Sequence, residues 1–247
     1  MPLNRNTFFT LGLESMVPAE INGRENGVKN DPVWDADYEP CPEAEGISEA
    51  DRGSVLRFED WAQTDIFADT RRLLHIYVPQ DVTNNASIMF FNDGTYYLSR
   101  KGPVRATHVL DRLINNGEIR PTIAVFIDPG VPASPVRVKP IESYGDIEAQ
   151  RSLEYDQLTA DYGDFLFHEV LPFVESETGI KISPDPNQRT VCGISSGGIA
   201  AFTAAWQHPD QSTRVLSHCG SFTNIWGGHN YPAMLRSGTR RRPPGPS

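Results

Sequence analysis

With 38% hydrophobic and 22% charged residues, the 247-residue chain can bury the core of one large α/β domain or two small ones. Its net charge of −10 repels phosphate backbones and argues against a nucleic-acid partner. No run approaches the roughly 18 apolar residues of a membrane helix, the three cysteines cannot all pair, and no spacing resembles a metal site.

The charge is uneven: residues 1–60 carry thirteen acidic and five basic side chains, whereas the last dozen residues carry four arginines and no acid. The apolar stretch Thr7-Phe-Phe-Thr-Leu-Gly-Leu is closed early by Glu14 and preceded only by Arg5, which is a poor signal peptide, so a cytoplasmic location is expected. Residues 1–52 mix prolines, acids and isolated aromatics and read as an extended arm, with Trp34 and Tyr38 as possible anchors.

Pattern begins at Ser54-Val-Leu-Arg-Phe. Arg72-Leu-Leu-His-Ile-Tyr-Val, rich in β-formers and stopped by Pro79, predicts an antiparallel neighbour, with His75 on one sheet face. Ala86-Ser-Ile-Met-Phe-Phe-Asn is a continuous apolar run, as in a strand buried on both faces, and it ends in the tight turn Asp93-Gly94. A helical stripe over Val104 to Asn116 and a second buried strand, Pro121-Thr-Ile-Ala-Val-Phe-Ile, complete a βαβ alternation and imply a parallel sheet. Residues 129–157 read as a long proline-rich connection ending in Arg151-Ser-Leu-Glu-Tyr-Asp, which could line a pocket or cap the next helix. Residues 159–177 read as one helix kinked at Pro172 and ended by Gly179. Arg214-Val-Leu-Ser-His-Cys-Gly reads as a last strand, and Cys192 and Cys219 as buried free thiols.

Between these elements lies Thr190-Val-Cys-Gly-Ile-Ser-Ser-Gly-Gly-Ile-Ala-Ala-Phe: a short apolar strand, a G-x-S-x-G turn and a helix of small residues. A serine hydroxyl becomes a useful nucleophile only when it is aimed and deprotonated, and a strand–turn–helix elbow does the aiming for Ser195. Gly193 and Gly197 are required where side chains would collide across the turn. The N–H of Ser196, at the helix start, supplies half of an oxyanion hole, and the N–H of Gly94 or Thr95 supplies the other half. A glycine-rich helix cap without chemistry and a phosphate cradle are the rivals, but the lysine of a P-loop is absent.

Four stretches in order resemble the enterochelin-esterase-type branch of the α/β-hydrolases, the esterase D group. They are Met89-Phe-Phe-Asn-Asp-Gly, Arg151-Ser-Leu-Glu-Tyr-Asp with its helix ending Leu171-Pro172, Cys192-Gly-Ile-Ser-Ser-Gly-Gly, and Ser217-His-Cys-Gly-Ser-Phe-Thr-Asn-Ile-Trp-Gly-Gly-His-Asn-Tyr-Pro. The resemblance covers about residues 53–236. It implies an α/β-hydrolase-type three-layer sandwich with a mostly parallel sheet, and a serine carboxylic-ester hydrolase acting on a small-molecule ester without cofactor or metal. Ser195 would be the nucleophile, and Gly94 and Ser196 the oxyanion donors.

Triads on this fold run Ser, then Asp or Glu, then His. In the family that the chain resembles, the acid and the base lie beyond the position of residue 236. The chain offers only His218 and His229 near the right end of the sheet, followed by Arg-Arg-Arg-Pro-Pro-Gly-Pro-Ser. The expectation is an esterase domain over 53–236, cut before its acid, its base and its last two strands, with a basic, proline-rich tail over 237–247. The alternative is a catalytically inactive fragment or a non-enzymatic binding module.

Overall fold

The structure, a computed structural model, describes residues 41–100, 102–133 and 144–237, and of residues 144–149 the backbone only. Most of the expected arm, with Trp34 and Tyr38, and nearly all of the tail lie outside the described residues.

In chain order the elements are β1 (Ser54–Trp61), β2 (Thr70–Val78), β3 (Ser87–Asn92), α1 (Gly94–Leu98), α2 (Ala106–Asn115), β4 (Thr122–Ile127) and the short β5 (Val131–Pro132). Then come α3 (Tyr144–Tyr155), α4 (Asp161–Asp164), a π-helical stretch Phe165–Val170, α5 (Leu171–Thr178), β6 (Arg189–Ile194), α6 (Ser196–Gln207), β7 (Arg214–His218) and α7 (Tyr231–Arg236). The sheet runs β1-β2-β4-β3-β6-β7, with β5 on β2. β1 and β2 pair antiparallel, as expected, and β2 meets β4 antiparallel. The pairs β4–β3, β3–β6 and β6–β7 are all parallel.

Strand side chains alternate between faces with a period of two, and this divides the core. On β4, Ile123, Val125 and Ile127 enter one apolar cluster, and Ala124 and Phe126 the other. The first face is covered by the π-helical stretch, α5 and α6, through Phe165, Leu166, Val170, Val174, Ala200 and Ala204. The second is covered by α1 and α2, through Tyr97, Ala106 and Leu110. Helices on both faces of a mostly parallel sheet make the three-layer α/β architecture.

Three expectations change. The 129–157 connection contains β5 and the twelve-residue helix α3. Residues 159–177 are not one kinked helix: a π-helical stretch separates α4 from α5, and Pro172 falls in the first turn of α5. Proline has no N–H for the carbonyl four residues back and its ring crowds that carbonyl, and a wider π turn just before it removes the conflict. Cys219 is not buried in a strand. It lies one residue past β7, exposed, at φ 46. Cys192 is buried, and burial pushes its thiol up to about 12, which makes it inert.

β7 ends the strand order among the described residues, and its Leu216 is 43% exposed. No helix among the described residues is long and apolar enough to cross a membrane.

Candidate active site

Ser195 sits between the end of β6 and the start of α6 with φ 56 and ψ −121. This lies outside the ordinary left-handed well that Asp93 occupies at φ 54 and ψ 47, and a non-glycine residue there is strained. The surroundings hold it. Its N–H donates to the His218 carbonyl at 3.0 Å, and its carbonyl accepts from the N–H groups of Gly198, Ile199 and Ser221 at 3.0, 3.2 and 3.0 Å. Gly193 must be glycine, since a Cβ there would stand 2.2 Å from the Gly197 carbonyl oxygen. The Gly198 position leaves only 2.8 Å to Ser217 Oγ, so α6 packs directly on the end of β7.

The turn after β3 lies beside this elbow. Asn92 Nδ2 donates to the Gly197 carbonyl at 2.8 Å, and a Cβ on Gly197 would stand 3.0 Å from Asp93 Oδ2. The starts of α1 and α6 therefore sit side by side at the same end of the paired strands β3 and β6. Gly94 presses on β4 so closely that a Cβ would come within 2.3 Å of the Ile127 nitrogen. Of the two donors anticipated on this turn, Thr95 is occupied: its N–H and its hydroxyl both donate to Asp128, at 3.0 and 2.6 Å. Gly94 and Ser196 each open a helix, and N–H groups of a first turn have no acceptor inside their own helix.

Asp93 is held from the side by α3. Arg151 donates Nε to Oδ1 at 2.9 Å and Nη2 to Oδ2 at 2.8 Å, and its guanidinium lies 5.3 Å from the Tyr155 ring centre. The Asp93 N–H donates to the Tyr155 hydroxyl at 3.1 Å. Burial pushes the Tyr155 phenol well above its ordinary range, so it stays neutral. The Arg151-to-Asp156 hexapeptide thus has a purpose at nearly every position. Ser152 donates to Asp156 at 2.6 Å and accepts from the Trp226 indole N–H at 3.1 Å, and Glu154 binds Arg72 on β2.

The hydroxyl of Ser195 lies 2.9 Å from that of Ser221, and the two share a hydrogen bond. Neither candidate histidine is seen on it. His218 Nδ1 is 2.9 Å from the Tyr97 hydroxyl, and the two rings stack with centres 5.8 Å apart. Burial raises the Tyr97 phenol far above neutrality, so it stays neutral, and which of the two atoms donates depends on the His218 tautomer. His229 lies in the 3-10 turn before α7, its N–H bonded to the Thr223 carbonyl. Among the described residues no cluster of His, Cys, Asp and Glu could hold a metal ion.

Sequence reading missed four residues here: Arg151 and Tyr155 as partners of Asp93, Tyr97 as the partner of His218, and Ser221 as the neighbour of Ser195. The first two belonged to a motif already singled out, and its charge and aromatic mixture was the available signal. Ser221 and Tyr97 meet the elbow only through tertiary packing, which no local spacing encodes.

A three-layer α/β sandwich with a strained serine at a strand–helix turn is an α/β-hydrolase-type fold. Residues 68–242 match the model of the Esterase family, described as "Putative esterase". That span is well over half of the chain, and the chain belongs to this family. Among solved structures it is similar to the enterobactin esterase of Shigella flexneri, at 22% identity and a TM-score of 0.55, covering 86% of this chain and 46% of that one. It is also similar to the enterobactin esterase of Salmonella typhimurium, at 20% and 0.51, covering 78% and 40%. A third similarity is to the feruloyl esterase module of Clostridium thermocellum, at 18% and 0.52, covering 81% and 68%. The chain thus spans about half the length of the enterobactin esterases it matches. No curated protein matches it.

Proposed function

We propose that the chain is a serine carboxylic-ester hydrolase in which Ser195 forms an acyl-enzyme with a small-molecule ester. The observation that carries this reading is the φ 56, ψ −121 backbone of Ser195, which sets a half-buried hydroxyl at the tip of a turn flanked by two helix starts. Ser195 Oγ attacks the ester carbonyl as its hydroxyl proton passes to solvent, and the oxygen of the tetrahedral intermediate takes the charge beside the N–H groups of Gly94 and Ser196. Collapse breaks the bond to the leaving alkoxide, which takes up a proton, and water then releases the acid and regenerates Ser195. The esterase domain comprises residues 53–236, with 1–52 as an arm and 237–247 as a tail. All six histidines lie among the described residues and none is seen on the Ser195 hydroxyl, so this reading assigns no triad acid or base to the chain.

One observation favours a second reading, a binding module without turnover. The partner of the Ser195 hydroxyl is the Ser221 hydroxyl, not an imidazole. A fluorophosphonate probe separates the two, since Ser195 Oγ bonds to phosphorus as fluoride leaves and the hydroxyl proton passes to solvent. Labelling of the full chain, abolished in Ser195→Ala, is expected for the esterase. Folded protein that takes no label at Ser195 supports the binding module instead.

A further inference from the structure

We propose that Arg151 is a positioning residue for the oxyanion hole: it locks the turn that aims the Gly94 N–H and cancels the Asp93 charge beside the place where the oxyanion forms. The proposal rests on the Ser195 acyl-enzyme reading above.

The geometry makes Asp93 a difficult neighbour. Its carboxylate immediately precedes the Gly94 donor in the chain. Its Oδ2 also lies 3.0 Å from where a Cβ on Gly197 would stand, two residues past Ser195. A bare carboxylate there would repel the negative oxygen of a tetrahedral intermediate, and water is too sparse to screen it, as the Asp93 and Arg151 side chains are only 12% and 15% exposed. The two-pronged contact from Arg151 neutralises it. A fork on a carboxylate also fixes orientation, which a single point charge does not.

The same contact fixes the backbone. Asp93 adopts φ 54, and its N–H is committed to Tyr155, the residue one helical turn beyond Arg151 and under the same guanidinium. On the other flank, Asp128 takes both the N–H and the hydroxyl of Thr95. Gly94 is pinned between these anchors and against the β4 backbone. The peptide that carries its N–H therefore has little freedom. Donors placed before the reaction begins are the effective ones, and a shift of about 1 Å can cost on the order of a hundredfold.

The rate and affinity of fluorophosphonate labelling of the full chain test this. In Arg151→Met the maximal labelling rate should fall about ten- to a hundredfold while the probe's dissociation constant stays within about twofold. A merely structural role would lower the fraction of folded protein instead, visible by circular dichroism. Adding Asp93→Asn to Arg151→Met removes the carboxylate charge and should restore the rate about tenfold over the single variant. No recovery overturns the charge cancellation. Should Arg151→Met fail to fold, Arg151→Lys decides, since it keeps the charge and loses the fork. A wild-type labelling rate in folded Arg151→Met overturns the proposal, and one in folded Arg151→Lys overturns the locking of the turn by the fork; either leaves the Ser195 reading standing. Absence of labelling in the wild-type chain overturns both.

Discussion

Ser195 occupies a backbone region that costs a side chain of its kind about 1–3 kcal/mol, and the local hydrogen bonds hold it there. Replacing it separates strain from chemistry. Ser195→Ala and Ser195→Gly both lose the hydroxyl and its bond to Ser221, so neither should be labelled. Only glycine relieves the positive φ, and Ser195→Gly should be the more stable by about 1 kcal/mol in urea unfolding. Equal midpoints would mean that the turn is not strained. Gly94 makes the opposite case, because space and not φ demands glycine there. In Gly94→Ala the new methyl meets β4 backbone, which cannot swing aside as a side chain can. The variant should lose about 1–3 kcal/mol of stability and label more slowly, because the displaced turn carries the proposed donor. A Gly94→Ala protein with wild-type stability would show that the turn has slack.

Helix α3 is the element that ties the sheet to the turn after β3. Glu154 and Arg72 are both fully buried, joined at 2.8 and 3.1 Å. Glu154 also accepts from the Gly130 N–H and from Gln150, and the Arg72 guanidinium lies 4.4 Å from the Phe165 ring centre. Such a pair gains little over a well-packed apolar pair, but losing one member strands a charge in the core. Glu154→Leu should therefore cost about 3–5 kcal/mol, and Glu154→Leu with Arg72→Met much less, measured by thermal unfolding. Additive losses would show that Arg72 finds another partner. This pair was not legible in the sequence. Its members are 82 residues apart, and the prolines before α3 make residues 129–157 look like loop. The strands were legible because Ala86 to Asn92 and Pro121 to Ile127 are too apolar for anything but burial. The π-helical stretch was half legible: Pro172 marks a disturbance, but its form depends on how Phe165 and Val170 pack on the sheet.

At the scale of the molecule, the elbow was legible because glycines and small residues leave a local signature, whereas its neighbours Asn92, Tyr155 and Ser221 come from three distant segments that only folding assembles. The buried sheet also sets how stability responds to acid. His75 lies on β2, buried, with Nδ1 lacking a hydrogen-bond partner among the described residues. Burial lowers its pKa below the ordinary 6.5, and the attraction of the Asp128 charge only partly offsets this. Above pH 6.5 the imidazole is neutral in both folded and unfolded chains, so this group leaves stability unchanged. As the pH falls below 6.5 the unfolded chain takes up a proton that the folded one refuses until its lower pKa is reached. The unfolded state then binds more protons, so stability falls with falling pH through that window and stops falling, for this group, below the folded pKa. The slope from one such proton is at most about 1.4 kcal/mol per pH unit. Carboxylates add their own losses at lower pH, so the comparison needs a variant. Urea midpoints from pH 7.5 to 5 should decline in the wild type and decline less in His75→Leu, which has nothing there to protonate. Parallel declines would show that His75 takes up its proton in the folded chain as easily as in the unfolded one.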